Sequence, residues 1–190
     1  MPNLKSFKIL FTLLISTIVI VSLWAISVNA QASLTENSKL AINGIGPIRV
    51  GMTVDEASRA AGVKLVFVAS GPDAYSCSYF KPQGELKGIA FMVTKGRIAR
   101  IDISDKRITT IRGAKIGDSE DRIISLYPGQ IQITKNPLTA RPEANSKYLT
   151  FVPLDAADKN YRVIFQTATN RVVYFRSGKL PEVEYIEGCL

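Results

Sequence analysis

The chain has 190 residues, two cysteines and no histidine, and it carries a formal net charge of +8. Without histidine, Ser-His-Asp and Cys-His catalysis are excluded, and two separated cysteines cannot make an ordinary zinc site. Neither a Walker loop nor a dinucleotide fingerprint occurs and no basic run exceeds two residues, so no cofactor, no metal and no nucleic acid is expected.

Lys5 and Lys8 precede an uncharged, largely apolar run of 18 residues, Ile9 to Ile26, and small residues follow at Asn29-Ala30-Gln31-Ala32. This is the order of a secretory signal over residues 1–32, with cleavage after Ala30 or Ala32. The run is also long enough to be retained as an anchor in the inner membrane, and a membrane contact is expected only in that case. The chain is therefore expected to be secreted or periplasmic after cleavage, or N-terminally anchored. The remainder fits one domain, or two small halves sharing a sheet. Its positive charge favours solubility and would also suit an anionic envelope component.

Residues 33–44 are polar and are expected to form a loose linker. Ile45 to Val50 is an extended lead-in. Thr53-Val54-Asp55-Glu56 matches a capping box and opens a helix over about Thr53–Ala61, with Gly62 as its stop. Val54, Ala57, Ala60 and Ala61 form its apolar face. Strands are predicted over Lys64–Ala69, Tyr75–Phe80, Leu86–Thr94 and Arg97–Ile103, with turns at Ser70-Gly71-Pro72-Asp73 and Lys95-Gly96. The same order then recurs. A helix over Asp118–Tyr127, with Asp118 as its cap, stops at Pro128-Gly129. Strands follow near Gln130–Thr134, Lys147–Val152, Tyr161–Thr167 and Arg171–Arg176, with loops at Lys135–Asn145 and Asp155–Asn160.

The recurrence extends to residue identity. Ile89-Ala90-Phe91…Gly96-Arg97-Ile98-Ala99-Arg100-Ile101 matches Val163-Ile164-Phe165…Asn170-Arg171-Val172-Val173-Tyr174-Phe175 at a constant offset of 74. The expected fold class is thus α+β, with two tandem units, each a short helix followed by an antiparallel sheet of three to four strands. Repeat unit 1 spans 45–112, repeat unit 2 spans 113–178, and residues 179–190 are a C-terminal tail.

Strand periodicity places Ile89, Phe91, Val93, Val163 and Phe165 on one face. By the same parity Ala99, Ile101, Ile103, Val173 and Phe175 face inward. The opposite, open face would collect Asp102 and Gln166 together with Tyr79, Arg100, Tyr148, Arg162, Tyr174 and Arg176. Those six tyrosine and arginine residues are the candidate partner-binding face, because both types are enriched at binding hot spots. An ordinary wetted sheet face would have the same composition.

An even cysteine count in an exported chain favours a disulfide between Cys77 and Cys189. The alternative is two free thiols, one of them almost at the chain end. If the bridge forms, the tail should fold across part of the tyrosine and arginine face, bringing its acids to Arg100, Arg162 or Arg176.

Val50-Gly51-Met52-Thr53-Val54-Asp55-Glu56, and more weakly Ile116-Gly117-Asp118-Ser119, open helix-then-sheet units in tandem. This pattern resembles the beta-lactamase inhibitory protein fold, and the small lipoprotein family of the outer-membrane barrel-assembly machinery, over about Gly46–Gly178. The whole pattern, with Cys77 and Glu187-Gly188-Cys189, is also similar to exported bacterial proteins of unknown function. The resemblance implies a helix-plus-sheet fold, an exported location and a tendency to bind proteins. No cysteine follows the signal to carry a lipid, the inhibitors place their disulfides differently, and their enzyme-blocking loop residues have no equivalent. No functional residue is therefore carried over.

Asp102, Asp105 and Asp118, and Glu182, Glu184 and Glu187 in the tail, are the carboxylates available for acid–base chemistry. Nothing in their spacing specifies a facing pair. The expected role is an exported, non-enzymatic binding or inhibitory module for a protein or an anionic envelope component. An exported hydrolase acting through carboxylates, or a membrane-tethered accessory protein, is the alternative.

Overall fold

The computed structural model describes residues 33–72, 76–137 and 145–189. The expected signal or anchor segment 1–32, the turn residue Asp73, the strand start Tyr75, most of the Lys135–Asn145 loop and Leu190 lie outside the described residues. Three two-residue strands come first: β1 (Leu40–Ala41), β2 (Gly44–Ile45) and β3 (Ile48–Arg49). Helix α1 (Val54–Ala61) is followed by β4 (Leu65–Ser70), β5 (Ser78–Pro82), β6 (Ile89–Thr94) and β7 (Arg97–Ile103). Helix α2 (Glu120–Leu126) is followed by β8 (Ile131–Lys135), β9 (Lys147–Phe151), β10 (Tyr161–Ala168) and β11 (Arg171–Lys179).

The fold is mixed α+β and mostly sheet. β1-β2-β3 form a small antiparallel sheet, and the other strands form one eight-stranded antiparallel sheet in the order β4-β5-β6-β7-β11-β10-β9-β8. The strands on either side of the sheet centre are β7 and β11. Their register pairs Ile103 with Phe175, Asp102 with Arg176 and Ile101 with Ser177.

Each helix forms for a local reason. Thr53 accepts a hydrogen bond from the Glu56 amide while the Glu56 carboxylate accepts one from the Thr53 amide, so the capping box is complete. Gly62 ends α1 at a φ of 66°, a left-handed conformation that glycine adopts without strain. In α2 the cap is Ser119, whose hydroxyl accepts from the Arg122 amide. This corrects the expectation for Asp118. Its carboxylate instead accepts from the Lys115 amide at 2.9 Å and pairs with Arg122, fastening the turn before the helix.

One face of the sheet carries the core. Phe91, Ile101, Ile103, Leu149, Phe165 and Phe175 are fully buried there, with Ala57 and Ala61 of α1 and Ile123 of α2 in the same cluster. Strict alternation fails once in each central hairpin. A bulge shifts the register between Met92 and Val93, so Ile98 opposes Val93 and Ala99 becomes the extra residue. An equivalent shift between Gln166 and Thr167 brings Val172 opposite Thr167. Val173, expected inside, is 46 % exposed, and Val172 is 1 % exposed in its place. Ala99 is buried but lies outside the core cluster.

The residues before α1 are not a loose linker. Leu34 and Leu40 are buried in the core. The Leu34 amide donates to the Ala61 carbonyl, and Leu40 bonds through both its amide and its carbonyl to the Thr109–Ile111 segment. Polar composition masked two apolar anchors that the chain needs to cover the helix-side core.

Replacing Thr53 with Ala removes the capping-box hydroxyl and should cost about 1 kcal/mol. Urea denaturation should read this as a lower midpoint with an unchanged slope.

Candidate functional site

The face opposite the core is closed by the C-terminal segment. After β11 the chain turns through Leu180 and Pro181 into a 3-10 turn, Glu182–Glu184, and runs back over the sheet to Cys189. Cys189 is bonded to Cys77 with a Cα–Cα distance of 5.3 Å, so the expected disulfide is present. The strap packs closely at its end. A Cβ at Gly71 would collide with the Cys189 carbonyl oxygen, and one at Gly188 would press on the Tyr79 hydroxyl.

The six candidate residues divide under this strap. Arg100 is 3 % exposed, and its guanidinium is nearly saturated. Its Nε lies 2.9 Å from Asp102, one Nη donates to the carbonyls of Glu182 (3.1 Å) and Tyr185 (2.8 Å), and the other donates to the Tyr79 hydroxyl. Arg176 is equally buried, donates from Nε to the Val183 carbonyl at 2.6 Å, and lies over the Tyr148 ring at 5.3 Å. Tyr148 sits beneath it in a small apolar cluster with Ile164, Val183 and Leu180. Tyr174 adjoins Asp102, and burial, then the Asp102 charge, push its hydroxyl far above the ordinary phenol range. Tyr79 is pushed up to about 12, by burial first and by Asp102 second. Arg162 stands apart and donates to the carbonyls of Lys159 and Tyr161.

With the bridge formed, the tail folds across part of the tyrosine and arginine face, as the sequence led us to expect. The tail meets Arg100 and Arg176, but through main-chain carbonyls and not through its acids. A buried guanidinium requires acceptors, and three strap carbonyls are within reach. The one tail acid that is buried, Glu182, accepts from the Thr94 hydroxyl at 2.8 Å and lies 3.5 Å from Lys179 Nζ.

The cover has a gap. A cleft of about 430 Å³ remains between strap and sheet, lined by Tyr79, Arg100, Gln166, Tyr174 and Arg176, with Ile186, Glu187 and Gly188 at its rim. Four of the six candidate residues share it; Tyr148 lies beneath and Arg162 outside. Gln166 was placed on this face by parity but not among the candidates. The strap carbonyls had no signal in the sequence, because backbone groups carry no residue identity.

The carboxylates do not converge on a facing pair. Asp102 pairs with Arg100, Asp105 with Arg107 and Asp118 with Arg122. Glu182, Glu184 and Glu187 do line a wider cleft of about 800 Å³ beside the disulfide, where Thr94 and Lys179 engage Glu182. Among the described residues no group of three or more acidic or cysteine side chains could hold a metal ion, and no helix is long and apolar enough to cross a membrane.

No protein-family model matches the chain, and no curated protein does. The crystal structure of the uncharacterized protein yfeY from Escherichia coli is similar, with a TM-score of 0.48 and 17% identity over 74% of this chain and 99% of that one.

Two predictions follow from the strap. In chain-entropy terms, a bridge joining residues 112 apart stabilises the fold by about 4–5 kcal/mol. Cys77→Ser with Cys189→Ser should therefore lower the urea midpoint sharply, and hydrogen exchange should speed up at Leu180–Gly188 before the core. The second concerns pH. The raised Tyr79 hydroxyl keeps its proton in the folded state over a range where the unfolded chain loses it, so its stabilising contribution is complete below pH 10 and is lost as pH rises towards about 12. Tyr79→Phe should make the fall in denaturation midpoint between pH 9 and 11 shallower.

Proposed function

We propose that this is an exported, non-enzymatic binding module that receives a partner at the cleft between its C-terminal strap and the tyrosine- and arginine-bearing sheet face. The observation that carries this reading is the cleft itself. Tyr79, Arg100, Gln166, Tyr174 and Arg176 converge on one cleft between strap and sheet. Aromatic and guanidinium groups held rigid by packing lose little entropy on binding, which suits them to recognition. Export is supported by the disulfide, which persists in oxidising compartments. Cleavage after Ala30 or Ala32 belongs to the same reading. The ion pairs that hold Asp102, Asp105 and Asp118 favour binding over hydrolysis.

We also infer that the molecule is built from two tandem copies of one helix-plus-sheet unit. The support is local and repeated. The Gly51 amide donates to the Ile98 carbonyl, and the Gly117 amide to that of Val172. The Ile98 amide donates to the Met52 carbonyl, and the Val172 amide to that of Asp118. Arg97 donates to the Gly51 carbonyl at 2.8 Å and Arg171 to that of Gly117 at 2.9 Å. Asp102 and Arg176, which face each other across the central strand pair, are equivalents at the offset of 74. A two-fold relation between the copies places that pair at its axis. Identical copies would set like against like there; in this chain an acid faces a base.

The intact mass of the protein recovered from outside the cytosol should correspond to a start at Gln31 or Ser33 and be lighter by two hydrogens than the reduced chain. A full-length, reduced chain would contradict export by cleavage. For binding, the immobilised mature protein should retain an envelope component that Gln166→Trp, which fills the cleft, does not. Equal retention by both proteins would move the binding surface elsewhere.

A further inference from the structure

The cleft contains a charge imbalance. Arg100 and Arg176 both lie under the strap, and Asp102 is the carboxylate paired with Arg100. Among the described residues Arg176 forms no ion pair, and Nε, with its bond to the Val183 carbonyl, is its one hydrogen-bonded nitrogen. Its terminal nitrogens belong to a side chain that is 3 % exposed yet lines the cleft. Burial first and the neighbouring Arg100 second disfavour its charged form, while Asp102, which stands opposite it in register but pairs with Arg100, favours that form less strongly. A guanidinium nonetheless stays protonated in proteins, so the unbalanced charge persists. The balance of two guanidinium groups against one carboxylate is a single positive charge. Tyr79 and Gln166 add neutral polar groups to the same wall. The buried Glu182 carboxylate is engaged by Thr94 and Lys179, and Glu187, which also lines the cleft, is exposed.

We propose that the cleft binds a carboxylate monoanion against the terminal nitrogens of Arg176, beside Arg100 and Tyr79. This rests on the reading of the cleft as the binding site and names the chemistry of the group it takes. A planar carboxylate matches a guanidinium fork in shape, and one such group restores neutrality. Glu187 on the rim competes weakly for the same position, and the cleft's volume of about 430 Å³ admits the acid end of a larger molecule. The acid is either a free metabolite or a group on an envelope polymer or peptide.

The test is titration of sodium acetate into the oxidised mature protein, at an ionic strength held constant with fluoride and followed by amide chemical shifts. Saturable shifts confined to Gln166, Tyr174 and Ile186–Gly188 are expected. Arg176→Met should weaken binding at least tenfold, and Glu187→Gln should tighten it severalfold. Should Arg176→Met fail to fold, the exposed Glu187→Gln carries the test, and an unchanged affinity would overturn the proposal. So would the absence of saturable shifts, or tighter binding of inorganic phosphate than of acetate. Competition by acetate for the envelope component retained above would place the acid on that component; its absence, with acetate still bound, would indicate a free metabolite. Acetate failing to bind while Gln166→Trp still loses the envelope component would remove the carboxylate and leave the cleft as the binding site.

Discussion

Two buried guanidinium groups that need acceptors organise the outer half of this molecule. Arg100 and Arg176 occupy neighbouring central strands on the face that the helices do not cover. In water their N–H groups would be solvated; under the strap they must be answered by the protein. Asp102, Tyr79 and the carbonyls of Glu182 and Tyr185 answer Arg100, and the Val183 carbonyl answers Nε of Arg176. The strap in turn is held at its far end by the disulfide and along its length by these bonds and by Val183 in the small apolar cluster. Arginines and strap are mutually dependent. Without the strap the arginines face solvent, and without the arginines three strap carbonyls lose a guanidinium donor.

The same interaction decides where a ligand could reach. An antiparallel sheet with helices on one side ordinarily leaves its second face wet. Here much of the second face is a second, polar interior, and Tyr79, Arg100, Tyr174 and Arg176 line a cleft between strap and sheet. The residues around that cleft are held by the sheet, by their own hydrogen bonds and by the disulfide-pinned strap. That is the preorganisation a binding site needs, because little freedom is left to lose when a ligand arrives. The closeness of Gly71 to Cys189 and of Gly188 to Tyr79 shows how tightly the strap's end is seated.

Much of the fold was legible in the sequence, and the reasons are local. The capping box at Thr53–Glu56, the stop at Gly62 and the alternation through Ile89–Val93 act over a few residues, so they survive as pattern. The two hairpin turns are equally local: Lys95-Gly96 and Thr169-Asn170 take positive φ at both positions, the geometry that tight antiparallel hairpins favour. The misreadings came where a neighbour decided. Val172 and Val173 exchange sides at the bulge opposite Gln166 and Thr167. Leu34 was hidden in a polar stretch because its partner, Ala61, lies at the far end of the helix. Asp118 and Ser119 are both good caps, and the path of the preceding turn selected between them.

Residue pattern alone was enough for the α+β class, the two helices and the eight strands of the main sheet, the recurrence at an offset of 74 and the pairing of Cys77 with Cys189 once the disulfide is granted. These depend on periodicity, local capping and count, which are properties of residue type and spacing. It also placed Tyr79, Arg100, Tyr174 and Arg176 on one face. It also tied a cover over that face to the Cys77–Cys189 bridge. Packing settled which groups meet under the cover, that Arg162 stands apart, and that Asp102 pairs with Arg100 while Arg176 forms no ion pair among the described residues. Those outcomes depend on where backbone carbonyls of the last ten residues come to lie, and a carbonyl has no letter in the sequence.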